Sequence, residues 1–370
     1  MKLGLVTIYN VPNFGSVLQA YATQYILEQL GHECKIIRYR YPNERQRVVK
    51  PNLKMILYSL TAKLGLLPQQ RKSNKLRKFR TENFNFTKPY DSFEDLKAED
   101  WDEYDGFVIG SDQVWNARYT KGEPAFLLSF VPDKKKRFSI ASSFASHELP
   151  KEYIEQFKSS IKLFDAISVR EEEGVTIIRN QLGIDKNVFV CLDPTLLLNK
   201  KQWLLLTTKR NNLPTQPYIL YYMWAYAFEP RPYINDVVKY FKEKTGINSI
   251  IALEGAPKTD INGIKYVNKE SSTITEFIDL FANASLVITS SFHGTAFAIN
   301  MNIPLVSIVP NDGKDSRQSS LLKAIGADNC IVSINQDMDT INPYYDSKLI
   351  ENNLDIIRKK DMEWLKINIS

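Results

Sequence analysis

Apolar and polar residues alternate along the first forty positions in a pattern that predicts two strands separated by a helix. LGLVTIY (residues 3–9) and CKIIRY (34–39) are β-rich apolar runs. Between them, SVLQAYATQYILEQL (16–30) has apolar residues at helical spacing, and Gly31 follows where a C-cap glycine belongs. A strand, a helix and a strand in this order form a βαβ unit, which predicts a parallel sheet.

The same alternation continues to about residue 198. Strands are predicted at 106–110, 138–141, 166–170 and 188–194, and helices at about 151–164 and 171–183. Residues 42–100 are basic and then acidic, with helical rather than strand character, and we interpret them as an insertion that covers the sheet edge. We therefore expect residues 1–198 to form an N-terminal Rossmann-like domain that contains this insertion.

The second half repeats the plan. Strands are predicted at 218–223, 249–253, 285–291 and 304–310, and helices at 233–246, 272–284 and from 293. Thr273 and Glu276 have the spacing of a capping box. We expect a C-terminal Rossmann-like domain over 199–345 and a final helix over 346–370 that packs back on the N-terminal domain. Two doubly wound halves predict an α/β fold with two parallel sheets facing across a cleft.

Composition narrows the class of protein. Hydrophobic residues make up 44% and charged residues 24% of the 370 residues, which is typical of a globular protein. The sequence contains neither a membrane-spanning apolar run nor a signal-peptide pattern. The three cysteines and three histidines lie far apart, which predicts neither a disulfide framework nor a His-rich metal site. We expect a cytoplasmic protein.

The net charge of +6 is unevenly distributed. RKSNKLRKFR (71–80) has six basic residues and no acidic one. Such a run is usually a solvated helix face. The alternative is a patch for phosphate-bearing partners, including contact with an anionic membrane surface that presents lipid-linked sugars. That alternative would place the protein at the inner face of the membrane. We predict no nucleic-acid partner, because no binding motif accompanies the charge.

Unusual clusters follow two strands of the first half, where ligands of open parallel sheets bind. Asn13-Phe14-Gly15-Ser16 opens the first helix, so it is interpreted either as an anion site or as a simple helix cap. Gly110-Ser111-Asp112-Gln113-Val114-Trp115-Asn116 follows an apolar strand. A plain turn explains its first three residues. The Gln, Trp and Asn that follow could offer stacking and hydrogen bonds to a sugar.

Two further clusters contain residues suited to catalysis. Arg170 ends a predicted strand, where its planar guanidinium suits a carboxylate or phosphate. The competing interpretation is a structural salt bridge with a glutamate at 171–173. His293 stands where another strand becomes a helix, after two serines and before Gly294. Imidazole suits proton transfer at neutral pH, so a catalytic role is predicted for it.

Five segments together resemble the polysaccharide pyruvyl transferase family. They are NFGSVLQAYA (13–22), GSDQVWN (110–116), SVREEEG (168–174), DPTLLL (193–198) and SFHGTAFAI (291–299). Each alone is a weak signal, but all five occur in family order.

The resemblance implies two Rossmann-like domains in a GT-B-like arrangement, with the active site in the cleft. It implies transfer of pyruvate from phosphoenolpyruvate to a sugar of a polysaccharide or its lipid-linked precursor, forming a cyclic ketal, as in exopolysaccharide biosynthesis. No metal or organic cofactor is implied. The catalytic residues would be His293 and Arg170. The expected substrate-binding residues are Asn13, Phe14, Gly15, Ser16, Gly110, Ser111, Asp112, Gln113, Trp115, Asn116, Ser290, Ser291, Gly294 and Thr295.

One position departs from the family pattern. Many members have a basic residue one or two places before the histidine, whereas this chain has Ser291 and Phe292. Either another basic residue, such as Lys314 or Arg317, substitutes, or the donor differs. Two alternative functions therefore stay open: a GT-B-type glycosyltransferase that uses a nucleotide sugar, and a non-catalytic carbohydrate-binding protein.

Overall fold

The computed structural model describes residues 1–40, 68–207, 214–225, 227–261, 263–313 and 315–370. Residues 42–67 of the predicted insertion, and Lys314, lie outside these ranges. The chain divides into two compact units. Among the described residues, the first contains 1–40, 77–197 and 358–370, and the second contains 68–76 and those of 198–357.

The first unit is built on a parallel sheet of seven strands in the order β3-β2-β1-β4-β5-β6-β7. The strands are β1 Lys2–Val6, β2 Glu33–Tyr39, β3 Phe86–Tyr90, β4 Gly106–Ile109, β5 Lys136–Ser142, β6 Ala166–Val169 and β7 Val188–Val190. The predicted parallel sheet is confirmed. Residues 86–90, however, lie in the segment that was expected to have helical rather than strand character, and that expectation is wrong for β3.

Three helices of the first unit coincide with the predicted helices at 16–30, 151–164 and 171–183, whereas those at 117–120 and 194–197 were not predicted. The helices of this unit are α1 Phe14–Gln29, the later part of α2 Pro68–Asn83, α3 Phe93–Ala98, α4 Ala117–Thr120, α5 Ile154–Ile161, α6 Glu172–Thr176 and α7 Pro194–Leu197. Asn13 caps α1 by accepting from the backbone N–H groups of Gly15 and Ser16 at 2.8 and 3.3 Å. Gly31 ends the helix with φ +87°, a conformation that few other residues adopt without strain.

The second unit has a parallel sheet of six strands in the order β10-β9-β8-β11-β12-β13. The strands are β8 Tyr218–Tyr222, β9 Ser249–Glu254, β10 Tyr266–Asn268, β11 Leu286–Thr289, β12 Leu305–Val309 and β13 Ile331–Ser333. The edge strands β10 and β13 have three residues each, and the sequence pattern did not predict them.

The remaining helices complete both units. They are α8 Lys200–Leu204, α9 Tyr233–Thr245, α10 Ile274–Ala282, α11 Phe292–Met301, α12 Arg317–Ile325 and α13 Ser347–Asn368. The capping box predicted at α10 is present: the Thr273 side chain accepts from the Glu276 N–H, and the Glu276 carboxylate accepts from the Thr273 N–H. In the last helix, Asp361 accepts from the Leu192 N–H at 2.8 Å, and Trp364 stacks on Phe189 at 4.8 Å between ring centroids.

Strand order in each sheet identifies where ligands can bind. In the first sheet the order reverses between β1 and β4, and in the second between β8 and β11. Ligands of doubly wound sheets bind beyond the carboxyl ends of the strands at such a switch point. The residues that follow β1, β4, β8 and β11 are therefore the candidate site residues of the two units.

Candidate functional site

The loops after β1 and β4 meet at the switch point of the first unit. Ser16, in the first turn of α1, donates its hydroxyl proton to the carboxylate of Asp112 at 2.7 Å. Asp112 has φ +71°, and its other carboxylate oxygen accepts from the Gln113 N–H at 2.9 Å. Two segments that are 96 residues apart in sequence are thus joined by one buried hydrogen bond.

Behind this contact lies a buried cluster of charges at the ends of β6 and β7. The Arg170 guanidinium donates to Asp193 at 3.0 Å and lies 3.5 Å from a carboxylate oxygen of Glu171. These three side chains are at most 2% exposed. Ser111 donates to the same oxygen of Asp193 at 2.8 Å, and Ser143 donates to Glu171 at 2.5 Å. The structural salt bridge that the sequence allowed for Arg170 is present.

Asp193, the first residue of the DPT segment (193–195), has a structural role in this cluster. One carboxylate oxygen of Asp193 accepts from Arg170 and Ser111, and the other accepts from the N–H and hydroxyl of Thr195 at 3.0 and 2.7 Å. Asp193 therefore connects β4, β6 and the start of α7. The sequence pattern does not reveal this role of Asp193, because its partners Ser111 and Arg170 come from other segments.

The remaining polar residues after β4 differ in accessibility. Gln113 and Asn116 are half-buried and hydrogen-bonded to each other at 2.8 Å. Trp115 is wholly buried: its indole N–H donates to the Phe126 carbonyl, and its ring packs against Phe144. The expectation that Trp115 offers a sugar a stacking face is wrong, because its ring lies in the core.

His293 lies in the first turn of α11, directly beyond the switch point of the second unit. Ser291 caps this helix by accepting from the Gly294 N–H at 3.4 Å. A Cβ at position 294 would lie 2.2 Å from the Thr289 hydroxyl and 2.9 Å from the Tyr222 ring. Glycine therefore lets the helix start approach the strand ends.

The hydroxyls around His293 have different surroundings. Ser290 accepts from the Trp224 N–H at 3.0 Å and donates to the Trp224 carbonyl at 2.9 Å. Ser290, Ser291 and His293 are each 6–7% exposed. Thr295 is wholly buried, and its hydroxyl is 2.7 Å from that of Ser307 on β12. Thr295 thus anchors α11 to the sheet.

Lys314 and Arg317 are the two candidates to replace the basic residue that is absent before His293. Lys314 lies outside the described residues. Arg317 is 6% exposed and forms a two-pronged ion pair with Asp315, at 2.7 and 2.5 Å. Its guanidinium is therefore already matched by a carboxylate two residues away.

The basic segment 71–80 lies on α2 and turns two of its cations inward. Lys72 is 5% exposed and pairs with Glu254, and Arg80 donates to the Tyr9 carbonyl at 3.1 Å. Burial lowers the pKa of Arg80 to about 10. Arg71, Lys75, Arg77 and Lys78 are exposed. The sequence pattern does not identify Lys72, because its acidic partner lies 182 residues further along the chain.

Within the described ranges, no helix is both long and apolar enough to cross a bilayer. Among the same residues, no group of three or more His, Cys, Asp or Glu has an arrangement that could hold a metal ion.

Comparison with solved structures defines the class of fold. The chain is similar to UDP-GlcNAc 2-epimerase from Methanocaldococcus jannaschii (16% identity, TM-score 0.50, 97% of this chain and 100% of that one). It is also similar to the S. aureus MnaA protein in a structure with UDP (11%, 0.52, 97% and 96%) and to UDP-N-acetylglucosamine 2-epimerase from Rickettsia bellii (10%, 0.51, 98% and 97%). These likenesses show the fold alone: two Rossmann-like units of the GT-B-like class.

The sequence itself identifies the family. The model of the polysaccharide pyruvyl transferase family matches residues 13–312, which is most of the chain. The chain therefore belongs to the polysaccharide pyruvyl transferase family, a family of transferases. Curated protein sequences gave no significant match.

Proposed function

We propose that this protein transfers the pyruvyl group of phosphoenolpyruvate to two hydroxyls of a sugar residue, in a polysaccharide or its lipid-linked precursor, to form a cyclic ketal. Family membership supports a transferase acting in polysaccharide chemistry. The single observation that carries the assignment of a reactive group is the position of His293, one residue before a close-packed glycine at the switch point of the second unit.

In this proposal His293 is the general acid. The methylene carbon of phosphoenolpyruvate must be protonated before its neighbouring carbon becomes electrophilic. The start of α11 favours an anion through its unpaired backbone N–H groups and its dipole. A phosphate bound there stabilises the protonated imidazolium. The imidazolium can then deliver its proton to the methylene carbon.

A single acid, His293, is sufficient to balance the protons of the proposed reaction. Proton transfer from His293 converts the methylene to a methyl group and leaves an oxocarbenium-like carbon. A sugar hydroxyl attacks that carbon, and its proton returns to the imidazole. Phosphate then leaves with its bonding electron pair, and the second hydroxyl attacks the same carbon. The proton of this second hydroxyl leaves on the phosphate, so the products are a ketal and hydrogen phosphate.

Two roles are proposed for the polar residues of the first unit, substrate binding and the positioning of other side chains. The half-buried Gln113 and Asn116, with the cap at Asn13, are proposed to bind substrate. Arg170 is proposed to act as a positioning residue, because its guanidinium already neutralises the carboxylates of Asp193 and Glu171. Through Asp193 it holds Ser111 at the end of β4, next to Asp112. A direct contact between Arg170 and the donor stays a prediction from the family resemblance.

The test is phosphate release from phosphoenolpyruvate with a panel of candidate acceptor sugars, read together with mass spectrometry of the products. We expect acceptor-dependent phosphate release and a product in which the acceptor has gained a pyruvyl ketal. A parallel thermal-shift panel of nucleotides examines the competing chemistry. Stabilisation by a nucleotide, with sugar transfer from its nucleotide sugar and no phosphate released from phosphoenolpyruvate, would replace this proposal with a glycosyltransferase. Sugar binding without either reaction would indicate a carbohydrate-binding protein.

A further inference from the structure

The second unit has a cation at its strand ends that the sequence around His293 does not supply. Positions 291 and 292 are serine and phenylalanine. Residues 68–76 nevertheless belong to the second unit, although they precede its first strand by more than a hundred residues in the sequence. Within them, α2 presents Lys72 to the unit's interior, and its side chain is 6% exposed.

Two contacts of the Lys72 ammonium group place it at the strand ends of the second unit. It donates a short hydrogen bond to the carboxylate of Glu254, the last residue of β9. It also lies 5.6 Å from the centroid of the Trp224 ring, within the range of a cation–π contact. Both neighbours stand at the carboxyl end of the second sheet, because Trp224 follows β8 by two residues.

A chain of direct contacts connects this ammonium with the candidate catalytic segment. Trp224 exchanges two hydrogen bonds with Ser290, at 3.0 and 2.9 Å. Ser290 follows β11 and stands three residues before His293. Since β9, β8 and β11 are consecutive neighbours in the sheet, the lysine lies over the strand ends that form the switch point.

We propose that Lys72 is the cation that binds the anionic group of the donor in the second unit, in place of the basic residue absent before His293. Only the identity of that anion as the phosphate of phosphoenolpyruvate rests on the proposed function. A lysine is a compact point charge on a flexible stem and is a frequent phosphate ligand.

The ion pair with Glu254 is compatible with this role. An ammonium group has three donor positions on a flexible stem, so an incoming anion can take the place of a present partner. Burial raises the pKa of Glu254 above its ordinary value, against the opposing effect of Lys72. The Glu254 carboxylate holds the lysine at the strand ends, where an anion that binds Lys72 has to compete with it.

The experiment is a set of calorimetric titrations of the full chain with inorganic phosphate, phosphoenolpyruvate and uridine diphosphate. Lys72→Met should weaken the affinity for the bound anion by about 10- to 100-fold, the range for losing a hydrogen bond to a charged group. Glu254→Gln should tighten it by roughly 3- to 10-fold, because it removes a negative charge beside the anion. If the ion pair were purely structural, both substitutions would change the affinity for the anion in the same direction.

Two further variants serve as controls. Lys75→Met removes an exposed lysine of the same helix, whose ammonium is 3.6 Å from Glu276, and should leave the affinity unchanged. Lys72→Met with Glu254→Gln removes both charges and leaves no buried carboxylate without a cation. This double variant should fold like the wild type and still bind the anion weakly. If Lys72→Met alone does not fold, the double variant shows whether the affinity for the anion depends on Lys72.

The outcomes separate this inference from the proposed function. Wild-type affinity for phosphoenolpyruvate and normal turnover in the folded Lys72 variants would overturn the inference and leave the function standing. If only uridine diphosphate binds, and its binding depends on Lys72, this result would support Lys72 as the anion-binding cation. It would overturn phosphoenolpyruvate as the donor. If none of the three anions binds the wild-type chain, the inference is wrong.

Discussion

The guanidinium of Arg170 donates to the carboxylate of Asp193 at 3.0 Å, which connects the ends of the neighbouring strands β6 and β7. The same carboxylate oxygen accepts from Ser111 at the end of β4. One arginine thereby fixes the ends of three strands on the side of the sheet where ligands bind. Glu171, 3.5 Å away, gives this buried group two carboxylates for one cation.

Replacing this arginine should strongly destabilise the first unit. Arg170→Met leaves Asp193 and Glu171 buried without their cation, and breaking a buried pair in this way costs about 3–5 kcal/mol. We expect a fall of that size in the free energy of unfolding, measured by denaturant titration. Arg179→Met, at an exposed arginine nine positions along, should change it by less than about 0.5 kcal/mol. Equal effects of the two substitutions would refute a structural role for the buried pair.

The hydrogen bond between Ser16 and Asp112 should make a smaller contribution. Ser16→Ala removes one donor from a buried carboxylate, which costs about 1–3 kcal/mol. The matched control is Ser159→Ala, which removes an exposed hydroxyl that bonds only locally to the Gln156 carbonyl. The difference between the two variants in free energy of unfolding measures the bond. No difference would mean that the two loops are held together by other contacts.

Removal of the His293 imidazole should abolish most of the catalysis without unfolding the protein. General acid catalysis contributes about 10²- to 10⁴-fold, so His293→Ala should lower turnover at least about 100-fold. The measurement is the initial rate of phosphate release, with circular dichroism as the check on folding. His147→Ala is the control, because the His147 side chain is 48% exposed and 3.8 Å from Glu173. Near-normal turnover in the His293 variant would exclude it as the acid.

Asp361 should make stability fall as the pH rises. Its carboxyl group is 0% exposed, and burial raises its pKa from 3.8 to about 6. Between these values the folded state keeps a proton that the unfolded state has lost. Stability therefore decreases across this window by ~3 kcal/mol.

Asp361→Asn should remove this component of the pH dependence. The free energy of unfolding of the variant should exceed that of the wild type at about pH 7.5 but not near pH 4. Asp355→Asn, an exposed position of the same helix, should follow the wild type at both values. An unchanged pH dependence in the Asp361 variant would show that this carboxyl group is not the source.

Sequence pattern predicted the fold well where the signal is local. The first βαβ unit, the α10 capping box and the C-cap glycine at position 31 all follow from neighbouring residues. Strand β3 was missed because an edge strand with the sequence FTKPY is half exposed and carries a lysine and a proline. The edge strands β10 and β13 were missed because they have only three residues each, too few to show a period.

The candidate site was predictable only in part, because only contacts between residues close in sequence leave a local signal. His293 was identifiable because its strand, glycine and helix are contiguous. Lys72 was not, because its partner Glu254 is brought to it by tertiary structure. The burial of Trp115 depends on Phe126 and Phe144, which come from later segments.

The most direct test of the central claim is the mass spectrum of the sugar product formed from phosphoenolpyruvate in deuterium oxide. Protonation of the methylene carbon by an exchangeable acid predicts a pyruvyl ketal whose methyl group contains a single deuterium, formed together with inorganic phosphate. A product without a pyruvyl ketal, or a ketal without deuterium in its methyl group, would contradict the account.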